Sequence, residues 1–136
     1  MKNGILLLSL LSASVALADG GVQPKALLDP AVPGAAAQVR ANGGCDAQLA
    51  TAFDGDALVA TLAPGDAAWP GFAIVPAGGA PAWDLSLYGH IEVKVTNLGD
   101  RQETLNLRVD NASTPENRNP WNAEMAKLAP GERKAR

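Results

Sequence analysis

Apolar residues fall at every second position in two runs between His90 and Asp110. In the first, Ile91, Val93 and Val95 alternate with His90, Glu92, Lys94 and Thr96. In the second, Leu105, Leu107 and Val109 alternate with Thr104, Asn106, Arg108 and Asp110. Side chains two residues apart point to the same face of a pleated strand, so each run predicts a half-buried strand. Between them lies Asn97-Leu98-Gly99-Asp100-Arg101-Gln102, whose Asn, Gly and Asp tolerate the backbone angles of a tight reversal. The pair is therefore expected to form an antiparallel hairpin with one wet face. Less regular apolar runs predict further strands at 57–62, 71–75 and 122–128, although the last also contains helix formers.

Turn signals punctuate the chain at Asp54-Gly55, Pro64-Gly65, Pro70-Gly71, Gly78-Gly79, Gly99-Asp100 and Pro130-Gly131. Such spacing, with no amphipathic helix of useful length between the turns, predicts an all-β fold: an antiparallel sandwich or barrel of short strands. The ends differ from this middle. Residues 1–18 carry one charge, Lys2, then an apolar run from Ile5 to Leu11, then Ala16-Leu17-Ala18. That is the pattern of a cleaved signal peptide, and it predicts a secreted or periplasmic protein starting at Asp19. The run is too short to span a bilayer, which takes roughly 20 apolar residues, so no membrane partner is expected. Residues 19–44 are rich in Gly, Pro and Ala and read as a leader with at most one early strand; the sandwich is expected over 45–136. At the other end, Arg133–Arg136 begins a strand that stops short of pairing along its length. This reads as a sandwich truncated at its C-terminal strand, the N-terminal piece of a longer protein, against the alternative of a naturally short chain with a basic tail.

Loss of the signal leaves 118 of the 136 residues, enough for one domain with one core. It also moves the formal charge from −3 to −4, which argues against nucleic acid as a partner. Cys45 is the only cysteine, so no internal disulfide is available and the fold must rest on packing.

Trp69-Pro70-Gly71 ahead of Phe72, Trp83-Asp84-Leu85-Ser86-Leu87-Tyr88 before the strand at Ile91, Leu105 to Asn111, and Leu128-Ala129-Pro130-Gly131-Glu132 follow one another in a familiar order. Over residues 57–136 the chain resembles the jelly-roll, galactose-binding-like domain at the N-terminus of secreted β-agarases and related glycoside hydrolases. The resemblance implies a carbohydrate-binding-like module packed beside a catalytic barrel in the same parent chain. It further implies a polysaccharide partner, a galactan such as agarose. The barrel lies outside these 136 residues, so hydrolysis is not carried over.

Sugars are held by flat aromatic faces flanked by amides, carboxylates and guanidinium groups. Trp121 is the leading candidate, expected in a polar loop over 111–122 with Asn117, Arg118 and Asn119 just before it. The competing reading is a tryptophan that folds the loop onto the sheet. Asp110 and Asn111 stand at the mouth of that loop, where they could bond a sugar hydroxyl or hold the turn. Trp69, Trp83 and Tyr88 are expected to be structural. Arg108 is expected to pair with Glu92 or Glu103 across the hairpin. No carboxylate pair suits a glycosidase, and one histidine, His90, with one cysteine cannot fill a zinc or copper site. No catalytic residue and no cofactor is therefore assigned. A structural calcium held by Asp and backbone oxygens stays open, since such sites leave little sequence signature. Two functions remain in play: a non-catalytic polysaccharide-binding module, or a structural sandwich that buttresses a barrel or contacts protein.

Overall fold

The computed structural model describes residues 4–14, 23–112, 114–118 and 120–135. The chain is all-β and its strands pair antiparallel. In order they are β1 (Gly4–Ser14), β2 (Lys25–Ala26), β3 (Val39–Asn42), β4 (Leu49–Asp54), β5 (Ala57–Leu62), β6 (Gly71–Ile74), β7 (His90–Asn97), β8 (Glu103–Asp110), β9 (Trp121–Leu128) and β10 (Arg133–Ala135). Two short 3₁₀ turns, Ala35–Gln38 and Ala77–Gly79, complete the regular structure among the described residues.

The strands form one large sheet and two ribbons. The large sheet runs β10-β7-β1-β5-β4, with β2 paired to the end of β1; the ribbons are β3-β6 and β8-β9. All three supply one core. Leu58 of β5, Val93 and Val95 of β7, Leu128 of β9, Leu28 and Ala35 are buried together. Phe53, Val39, Phe72, Ile74, Leu105 and Leu107 pack against them from both ribbons and from β4. This is the arrangement of a sandwich, each layer hydrophobic on the face turned inward.

The strands expected at 57–62, 71–75 and 122–128 are present as β5, β6 and β9. The hairpin expected between the two best-patterned runs is not. β7 pairs with β1 and β10, whereas β8 pairs with β9, so the two runs lie in different sheets. The intervening segment carries the chain from one layer to the other, and alternation, which fixes a strand's inward face, leaves its neighbour open. From Leu27 onward the segment read as a loose leader is part of the core. Leu27, Leu28, Ala35 and Gln38 are buried, and Gln38 donates its side-chain amide to the carbonyls of Leu27 (3.1 Å) and Val75 (2.9 Å). At the C-terminal end, Arg133–Ala135 pairs with Thr96–Lys94 of β7.

Asn97 ties the layers together at the end of β7. It is fully buried and donates its side-chain amide to the carbonyls of Arg101 (2.7 Å) and Leu128 (3.0 Å). It also accepts from the Gly99 N–H at 2.9 Å. Its own carbonyl accepts from Gly131 (2.8 Å), whose positive φ turns the chain between β9 and β10. Every polar atom of this buried amide thus has a partner, as burial requires. A second close approach lies at Gly43, where the Trp69 carbonyl occupies the space a Cβ would need. Beside it, the buried Cys45 thiol donates to the Gly71 carbonyl (3.0 Å) and accepts from the Gly71 N–H (3.3 Å).

Candidate functional site

The outer face of the β8-β9 ribbon carries the candidate site. The register pairs Asp110 with Trp121, Arg108 with Ala123, Asn106 with Met125 and Thr104 with Lys127. With Leu105 and Leu107 turned to the core, these eight residues share the face directed to solvent. Along β8 the pattern agrees, since Thr104, Asn106, Arg108 and Asp110 occupy one parity and Leu105, Leu107 and Val109 the other.

Trp121 begins β9 instead of lying in the loop, a correction to the sequence reading. It is 53% exposed, and the Arg108 guanidinium carbon sits 5.3 Å from the centre of its ring. Asp110 fixes that guanidinium through an Arg108 Nε to Oδ1 contact of 2.7 Å. The partner of Arg108 is therefore Asp110, two residues along its own strand. Glu92 pairs with Lys94 and Glu103 with Arg101. An indole with a cation over one face is held in orientation at a gain of about 0.5–1 kcal/mol for an exposed pair. Its remaining exposed surface can cover the apolar side of a sugar ring.

The loop beside this platform is internally bonded. The Asn111 N–H donates to the Pro120 carbonyl (2.9 Å) and closes the base of the loop. At its tip, the Thr114 N–H donates to the Asn117 carbonyl (3.0 Å) and the Asn117 N–H donates to the Thr114 hydroxyl (3.1 Å). These bonds use the loop backbone, and Asn111, Asn117 and Arg118 are exposed. Asn119 lies outside the described residues. Of the six residues singled out from sequence, the structure pairs Asp110 with Trp121 across the ribbon and places Asn111 directly at its mouth.

Sequence reasoning missed Met125 and Asn106, which face solvent on the same ribbon, Met125 being 72% exposed. The signal was available: Trp121, Ala123 and Met125 fall at every second position, and aligning them against Asp110, Arg108 and Asn106 gathers the whole face. Trp69 was expected to be structural but is 82% exposed; its backbone, packed on Gly43, carries the structural role. Trp83 and Tyr88 are half-buried in an irregular segment. There Asp84 is held below the usual carboxylate range by hydrogen bonds from the Ser86 hydroxyl and backbone N–H.

Among the described residues no three His, Cys, Asp or Glu side chains come together in a way that could hold a metal ion. No described helix is long and apolar enough to cross a membrane. Compared with protein-family models, with curated proteins and with solved structures, the chain gives no significant match.

Proposed function

We propose that this chain is a non-catalytic polysaccharide-binding module of an exported, agarase-like glycoside hydrolase, built as a jelly roll and serving a catalytic barrel in the same parent. The observation that carries the reading is the Trp121 platform: a half-exposed indole on a flat outward face, with Arg108 stacked over it and Asp110 holding Arg108. Stacked aromatics with hydrogen-bonding groups at their rim are what a sugar surface needs. Asp110 and Asn111 supply that rim. The signal-peptide pattern of residues 1–18 supports an extracellular or periplasmic setting, where polymeric substrates are found.

The test is affinity electrophoresis of the purified chain through gels containing agarose, porphyran, cellulose or no added polysaccharide. Selective retardation by a galactan is expected, with Trp121→Ala weakening it roughly tenfold or more, as for a central aromatic contact. Free migration of the folded chain in every gel would make the ribbon a buttressing or protein-contact surface. The purified chain is also expected to release no reducing sugar from agar.

A further inference from the structure

Trp69 shows 82% of its surface to solvent, more than any other large apolar residue described. The backbone that carries it is nevertheless fixed from two sides. Its carbonyl lies against Gly43, whose φ of 65° and missing Cβ together permit the approach. Two residues on, the Gly71 N–H and carbonyl both bond the buried Cys45 thiol, at 3.3 and 3.0 Å. Pro70, between the two anchors, has a φ set by its ring. Stability does not explain the exposed indole, because it buries little area and a backbone contact needs no tryptophan side chain. A backbone fixed in advance does lower the ordering cost of binding.

The surroundings narrow what the indole can meet. Asn42, Gly44, Asp46, Asp66 and Pro70 are exposed in the two segments, 42–46 and 66–70, that come together there. The other exposed large apolar residues described, Val32, Leu87, Leu98, Trp121 and Met125, fall in neither segment. A protein interface sets its aromatic anchor at the centre of a wider apolar patch. A lone flat ring among small and hydrogen-bonding groups suits a sugar ring instead, which offers one apolar face edged by hydroxyls.

This indole is remote from Trp121. Leu49 pairs with Leu62, and Leu62 with Gly4, two residues from the Leu6–Asn97 pair. Asn97 bonds the Leu128 carbonyl, so β9 finishes at this same end of the sandwich. Trp69 belongs to that end too, because Cys45, bonded to Gly71 beside it, accepts the Leu49 N–H on its carbonyl (3.0 Å). Trp121 lies seven residues back along β9 from Leu128, about 23 Å at roughly 3.3 Å per residue.

Resting on the polysaccharide-binding reading above, we infer that the module is bivalent: Trp69 is a second sugar-stacking site, of the same galactan class as the Trp121 face, and the two engage different stretches or different chains of polymer. A short oligosaccharide on one indole cannot touch the other, whereas a polymer held at both gains through effective concentration.

The experiment is titration calorimetry of the purified full chain with an agarose tetrasaccharide, alongside Trp69→Ala, Trp121→Ala and the double variant. Two tetrasaccharides per parent chain are expected, one for each single variant and none for the double. Trp69→Phe, which keeps a flat ring, is expected to bind two. Because Trp69 is so exposed, Trp69→Ala is expected to unfold at the urea concentration of the parent, so that a lost site reads as lost binding. Light scattering from a soluble long-chain galactan is expected to rise with the parent, which bridges two chains, and not with either single variant. One tetrasaccharide per parent chain, lost in Trp121→Ala and kept in Trp69→Ala, would overturn bivalence and leave the Trp121 reading standing. One lost only in Trp69→Ala would overturn bivalence and the Trp121 reading together, and no binding by any form would end the polysaccharide reading and bivalence with it.

Discussion

β7 and β8 are nearly interchangeable as sequences: each is eight residues long with three apolar residues at alternate positions. Their surroundings are not alike. β7 has a strand on each edge, and Val93, Val95 and Asn97 on it are almost wholly shielded from solvent. β8 has one partner, its apolar residues are only half-buried, and its other face is open. One strand is spent on holding the layers together. The other leaves a flat polar face with an aromatic at its corner, and that is where a ligand has room to lie.

The sharpest way to break this comparison is to place the same charge on both strands. Val95→Asp puts an unpaired carboxylate in the core and is expected to cost about 4 kcal/mol or more, enough to unfold a small domain. Asn106→Asp, on the outer face of β8, is expected to change stability by no more than about 0.5 kcal/mol. Urea denaturation of the two variants checks both values. Similar losses in the two would mean that the β8-β9 face is not a free surface.

Next in size is Asn97→Ala. It orphans the carbonyls of Arg101 and Leu128 and the N–H of Gly99, and the expected loss is about 2–3 kcal/mol by the same measurement. Val93→Ala would open a cavity but leave that polar junction intact. The two variants therefore separate packing from hydrogen bonding along the same strand.

How much of this was legible in the sequence follows from the same contrast. Alternation along 90–97 and 103–110 marked two strands and the inward face of each, because that periodicity is local. Their separation into different sheets depends on which distant strand each meets, and nothing within either run encodes that. β4 was missed because Ala50 and Ala52 blur its alternation, and the early strand allowed for within 19–44 could not be placed at β3 because the surrounding Gly, Pro and Ala-rich stretch reads as loose. That stretch is held by Gln38, whose two bonds reach carbonyls 11 and 37 residues away. Trp121 was found as a candidate for its chemistry. Its platform was not, since the Arg108 over its ring comes from the neighbouring strand and depends on register.

Arg108→Ala tests that platform with a smaller effect. Losing a cation over an exposed ring is worth about 0.5–1 kcal/mol, so global stability should fall by no more than that. Trp121 would lose its orienting partner, and galactan retardation is expected to weaken several-fold while Arg101→Ala, in the turn before β8, leaves it unchanged.

The smallest effect is expected at Met125, and it carries information about ligand length. Met125 lies four residues along β9 from Trp121 on the same face, about 13 Å away at roughly 3.3 Å per residue. A single sugar ring stacked on Trp121 cannot touch it, whereas a chain lying along the ribbon would. Because Met125 is 72% exposed, Met125→Ser should alter stability by no more than about 0.5 kcal/mol. Binding of a disaccharide should be the same in variant and parent, and binding of a long oligosaccharide should weaken about two- to fivefold, the loss of one exposed apolar contact of up to about 1 kcal/mol. Titration calorimetry across a series of oligosaccharide lengths reads this directly. A length-independent loss would place the ligand across the ribbon instead of along it, and no loss at any length would confine the site to Trp121 and the loop beside it.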